Sequence, residues 1–115
     1  MLAALQYQTQ DGQCPFQRWF FRLDPRAAAR VMRTVIKLEA GLQPDVKGVG
    51  EGVFEACIDY GPGYRVYFAL DGPTLVLLLG GGDKKTQPRD IPAAQAAWAD
   101  YKARKKGTKH HGTHP

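Results

Sequence analysis

Apolar positions recur along this chain with two different periods. Residues 2 to 8 predict a short first strand, ended by the turn pair Asp11-Gly12. Phe16, Trp19, Phe20 and Leu23 then fall at i, i+3, i+4 and i+7, one stripe of a helix, with Pro15 in its first turn and Arg18 and Arg22 on the other side. Asp24-Pro25 predicts a second helix start, with Asp24 as N-cap and Pro25 at the first helical position. Its apolar stripe reads Ala28, Val31, Val35, Leu38 and Leu42, and Gly41 suits its C-terminal cap. The opposite stripe is Arg26, Arg30, Arg33 and Lys37.

After Pro44 the glycine-rich run DVKGVGEG, with Lys47 in it, reads as loop. Strand alternation begins near Val53: Phe54, Ala56 and Ile58 face one way, and Glu55, Cys57 and Asp59 the other. The turn DYGPG leads to a strand with Tyr64, Val66 and Phe68 on one face and Arg65, Tyr67 and Ala69 on the other. Asp71-Gly72 marks a hairpin. Residues 74–79, TLVLLL, are a continuous apolar run, the pattern of a strand buried on both faces, and Gly80-Gly81-Gly82 bounds it. A final helix is predicted with Asp90 as N-cap and Ala94, Ala97, Trp98 and Tyr101 on its apolar side.

This order predicts an α+β fold: a small, mainly antiparallel sheet of about four strands, with helices packed on one face and a C-terminal helix. The length of 115 residues suits one domain. A hydrophobic content of 43% suits a packed core. No apolar run reaches membrane-spanning length, and the N-terminus lacks the basic region of a secretory signal. With two cysteines, Cys14 and Cys57, a cytoplasmic protein with reduced thiols and no cofactor is expected. The formal charge is +5, and the segment from Lys102 to Pro115 holds five cations and no acid. The body is therefore neutral overall. Residues 1–103 read as the folded domain and 104–115 as a basic, frayed arm, whose His110, His111 and His114 are incidental to any metal site.

The chain has no serine, and its three histidines all lie in that arm. Serine nucleophiles and an imidazole base in the body are thereby excluded. The run LGGGDKK lacks the spacing of a phosphate-binding P-loop. Cations, phenols and carboxylates remain. Arg65 and Tyr67 share a strand face, Glu55 and Cys57 belong to the neighbouring strand, and Lys84 and Lys85 follow at the sheet's rim. An open face of this kind suits a phosphodiester backbone: arginine binds phosphate in bidentate fashion, lysine adds charge, and Tyr67 stacks or donates. The bland alternative is a cross-strand ion pair between Arg65 and Glu55 on a solvent face. The stripe Arg26, Arg30, Arg33 and Lys37, with Lys47, suits a polyanion such as RNA, or else an ordinary solvated helix face.

The segments GVFEACIDYGPGYRVYF and DGPTLVLLLGGGDKKTQPRDI, the closing Trp-x-x-Tyr helix and the opening QCPFQRWFFRLDP resemble the HigB-like addiction-module killer proteins of the RelE/ParE toxin superfamily, in their phage-related branch. The resemblance covers about residues 1 to 103. It implies the toxin of a type II toxin–antitoxin pair, with a HigA-like helix-turn-helix antitoxin as partner. It also implies ribosome-dependent, metal-independent cleavage of messenger RNA in the cytoplasm. Arg65 matches the arginine of the family's Gly-Tyr-Arg segment, Lys84 with Lys85 the basic position after the last strand, and Phe54-Glu55 the start of the usual Glu-Leu-Arg-Ile segment.

There the chain departs from the pattern, reading Glu55-Ala56-Cys57-Ile58. Cys57 replaces a cation on the Arg65 face. Three functions stay open at this point: a ribosome-dependent endoribonuclease, a ParE-like gyrase inhibitor, and an attenuated toxin-like protein that only binds its antitoxin.

Overall fold

A computed structural model describes residues 2–42 and 45–112. The expected loop start at Pro44 lies outside them, as does His114. The chain runs β1 (Ala3–Gln6), α1 (Pro15–Phe20), α2 (Pro25–Glu39), β2 (Val46–Gly48), β3 (Phe54–Ile58), β4 (Tyr64–Asp71), β5 (Leu75–Asp83) and α3 (Gln87–Gly112). The α+β class stands. The sheet has five strands rather than four, in the order β1-β5-β4-β3-β2. β1 lies parallel to β5, and every other pairing is antiparallel. The additional strand is β2, inside the segment expected to be loop. Three residues at a sheet edge, one of them glycine, carry no alternation to read.

The helices do not share one face of the sheet. Phe16, Trp19, Val31, Val35 and Leu38 of α1 and α2 pack with Val66, Phe68, Val76 and Leu78. Ala94, Ala97 and Trp98 of α3 pack on the reverse, with Tyr67, Ala69, Leu77 and Leu79. The sheet is thus the middle of three layers. The doubly apolar run of β5 requires this, because Leu77 and Leu79 need a cover that α1 and α2 do not supply.

Asp24 caps α2 as its sequence predicts, with Oδ1 accepting from the amides of Arg26 and Ala27 at 3.0 Å each. The buried stripe of α2 is Ala27, Val31, Thr34, Val35 and Leu38. Ala28 is only half-buried and Leu42 is exposed, so the expected stripe is rotated slightly at both ends. Gly41, at φ 77°, reverses the chain where α2 ends.

Two further boundaries move. β5 does not stop before the three glycines but runs through them to Asp83. A β-carbon on Gly81 would overlap the Trp19 ring, and one on Gly82 would overlap Thr86 and Asp90. Glycine here lets α1 and the start of α3 press against the strand. α3 begins at Gln87, so Asp90 lies within the first turn instead of capping it. α3 continues past residue 104, into the basic arm, to Gly112. Arg104 pairs with Asp100 at 2.9 Å, and Lys105 with Asp71 at 2.7 Å. No helix among the described residues is long and apolar enough to cross a membrane.

Candidate nucleic-acid interface

α2 is amphipathic, so burial of Val31, Val35 and Leu38 turns Arg26, Arg30, Arg33 and Lys37 outward, all four exposed. The turn after β3 brings Tyr60 back against this face, where the Arg30 guanidinium sits 4.2 Å from the Tyr60 ring centre. Two adjoining hollows follow the helix. One, of about 310 Å³, lies among Arg26, Arg30, Arg33 and Tyr60. The second, of about 260 Å³, lies among Arg30, Arg33, Lys37, Asp45 and Cys57. They share Arg30 and Arg33, and so form one shallow cationic groove from Tyr60 to Cys57.

At its Cys57 end the groove borders β3, and the Cys57 side chain points to the opposite face of the sheet, into a buried polar cluster. Register sets Cys57 opposite Arg65, Glu55 opposite Tyr67, and Lys47 of β2 opposite Glu55. The Glu55 carboxylate is 0% exposed. It accepts from Gln87 Nε2 at 2.6 Å and faces Lys47 Nζ at 3.6 Å and Arg65 Nη1 at 3.9 Å. A buried carboxylate is tolerated only with such partners. Arg65 Nη1 also donates to the Cys57 sulfur, whose thiol points to Glu55 Oε1 at 3.5 Å. Burial pushes the Cys57 thiol up, against the pull of the Arg65 charge, so sulfur stays protonated at neutral pH.

Arg65 does not stand on an open face, because its side chain is only 13% exposed. Tyr67 is fully buried beneath α3 and cannot stack on a base. Burial and the Glu55 charge raise its hydroxyl well above the ordinary value. Glu55 is likewise out of reach of a polymer. The concave, open sheet face read from the strand pattern is therefore closed by α3, and Glu55 and Tyr67 are corrected from contact groups to buried supports. The bland reading of an Arg65–Glu55 pair holds in part, since the two do face each other, but in the interior and not in solvent. The Arg65 Nε and the Tyr67 hydroxyl are buried without a hydrogen-bond partner among the described residues.

Lys84 and Lys85 lie exposed in the turn between β5 and α3, as the rim position requires. Asp83 shapes that turn, its Oδ1 accepting from the amides of Lys85 at 2.9 Å and Thr86 at 3.1 Å. The β-carbon of Lys84 stands 3.6 Å from where one on Gly63 would be. This puts Lys84 beside the Gly-Pro-Gly turn that leads into Arg65.

Sequence reasoning missed two participants. Gln87 had a signal in Pro88, a residue suited to a helix's first turn, which moves the helix start back far enough to face Glu55. Tyr60 had none, since its pairing with Arg30 is made by tertiary packing.

No family model matches the chain. An uncharacterized protein of Haemophilus influenzae is 43% identical to it over 81 residues, which is 70% of this chain and 82% of that protein. A match of that identity over most of both chains makes this chain a member of the same family as the Haemophilus influenzae protein.

Proposed function

We propose that the protein is a RelE/ParE-type, HigB-like toxin that binds messenger RNA on the ribosome along the α2 groove and cleaves it at Arg65. The observation that carries this reading is the cationic groove on α2. Exposed Arg26, Arg30, Arg33 and Lys37 line a path that reaches β3 at Cys57, the residue paired with Arg65 in the strand register, while the Arg65 side chain lies on the other face of the sheet. A phosphate backbone drawn along α2 by charge would pass around the β3–β4 end of the sheet to reach the Arg65 fork.

The reaction suited to this arrangement is attack of a ribose 2′-OH on the adjacent phosphate, with the 2′-OH proton passing to water, the 5′ oxygen leaving and taking a proton from water, and a 2′,3′-cyclic phosphate formed. Arg65 is the group that stabilises charge on the phosphorus centre. Glu55 and Gln87 act as positioning residues, the first holding Arg65 and the second holding Glu55. Lys84 and Lys85 add charge from the rim. Tyr67 supports the strand from beneath.

A second reading is favoured by the burial of Glu55 and Tyr67 and by the thiol at position 57. In it the chain is a toxin-like protein that binds gyrase or a helix-turn-helix antitoxin without cutting RNA. Induction in cells with primer extension on a reporter transcript separates the two. Discrete new 5′ ends in wild type, absent in Arg65→Lys, support cleavage. Growth arrest without new ends supports the second reading. Arg65→Lys retains a cation for Glu55 but loses the planar fork, so it tests phosphate contact with little loss of folding.

A further inference from the structure

We propose that the open edge of β5 accepts an acidic, extended peptide segment of a partner protein as an added strand. β1 pairs with β5 only from Leu75 to Leu78. From Leu79 to Asp83 the side of β5 away from β4 has no strand beside it among the described residues. The Asp83 amide turns to that side, donating to Thr86 Oγ1 at 3.1 Å. Alternation along an antiparallel ladder turns the Gly81 amide and carbonyl the same way. No group among the described residues hydrogen-bonds to Gly81 from there. Unpaired strand-edge groups are a template for another chain.

This edge lies at the bottom of a cleft of about 380 Å³ between α1 and the start of α3. Arg18, Trp19 and Arg22 form one wall, and Arg89, Ala93 and Ala94 the other. The glycines keep side chains off the edge itself, and a β-carbon on Gly80 would meet nothing within 4 Å. The buried, unpartnered Tyr67 hydroxyl belongs to the same cleft. Two carboxylates are also present, but both are engaged within the fold. Asp83 accepts the turn amides, and Asp90 accepts from Thr86 and pairs with Arg89 at 3.5 Å. Thr86 also occupies the Asp83 carbonyl, so the cleft offers exposed arginines on both sides of the free Gly81 amide and carbonyl.

That combination selects the occupant. A strand edge alternates donors and acceptors, which a peptide backbone matches and a phosphodiester, lacking donors, does not. The flanking arginines select acidic side chains. A second copy of this chain fits poorly, because its own β5 edge is equally recessed and carries the same cations.

The inference does not rest on the RNA reading, and its test involves neither RNA nor toxicity. A short, end-blocked peptide of alternating glutamate and valine is titrated into the isotopically labelled full chain and followed by NMR. The amides of Gly80, Gly81 and Gly82 are expected to shift, and Gly81 to gain protection from hydrogen exchange. The doubly reversed variant Arg22→Glu with Arg89→Glu should bind the peptide about tenfold or more weakly. Both arginines are exposed, so unchanged circular dichroism and melting confirm that the variant folds. A lysine–valine peptide and a peptide N-methylated at alternate residues should both fail to bind. No shift at the three glycines, equal binding of the lysine or methylated peptide, or the same shifts appearing on raising the protein concentration alone would each overturn the proposal.

Discussion

At the scale of single residues, Arg65 and Glu55 decide both stability and the proposed chemistry. Replacing Arg65 with alanine removes a partner from a carboxylate that is 0% exposed. The loss should be about 1–3 kcal/mol, read as a melting temperature lower by several degrees. An unchanged melting temperature would show that Glu55 does not depend on Arg65. Cys57→Arg adds a second cation beside Arg65, and should tighten RNA binding and raise toxicity in a chain that cleaves. Unchanged binding would remove Cys57 from the interface. Alternation of side chains placed Arg65, Tyr67, Glu55 and Cys57 on one face correctly. It did not show that face covered, because what lies over a sheet is fixed by the path of a helix that is distant in sequence.

At the scale of elements, the glycine stretch of β5 and the far half of α3 make separate predictions. Gly81→Ala forces a β-carbon into the Trp19 ring, which is itself packed among Phe16, Tyr64 and the sheet. Overpacking of this kind should cost about 1–3 kcal/mol, visible in the denaturant midpoint. Gly80→Ala, with open space at that position, should cost much less. In α3 the Tyr7 hydroxyl donates to Asp100 at 2.5 Å, and the Tyr101 hydroxyl to Asp71 at 2.7 Å. Lys105 first and Tyr101 second hold Asp71 below the usual carboxylate value of 3.8. The Tyr7 hydrogen bond, supported by Arg104, does the same for Asp100. Both carboxylates have lowered folded-state values, so their contribution is present above pH 3.8 and is lost as pH falls through the folded values. Hydrogen-exchange protection in α3 after Asp100, measured against the intrinsic rate at each pH, should therefore fall on acidification below about pH 4, before the β4–β5 core opens. Equal loss of protection in both would remove these ties as the cause. The helices were legible because their caps and stripes are local. β2 and the continuation of β5 were not, since three glycines signal a strand end unless the Trp19 and Asp90 packed onto them are known.

At the scale of the whole molecule, charge is arranged more informatively than its total suggests. Five of the cations belong to the last segment. Of these, Arg104 and Lys105 are bound to Asp100 and Asp71. Among the described residues, the exposed stripe on α2 has no acid lining its groove beyond Asp45. Removing residues after Lys105 should then change RNA affinity less than neutralising α2. The most direct measurement is the binding of a fluorescent single-stranded RNA to purified protein over a series of salt concentrations, for wild type and for Arg30→Ala with Arg33→Ala. If both arginines neutralise phosphates, the doubly substituted protein should bind more weakly. The slope of log affinity against log salt should shrink by about 1.4, which is about 0.7 for each single-strand phosphate left without its cation. An unchanged slope, or no RNA binding by the wild type at low salt, would contradict the groove as the RNA site.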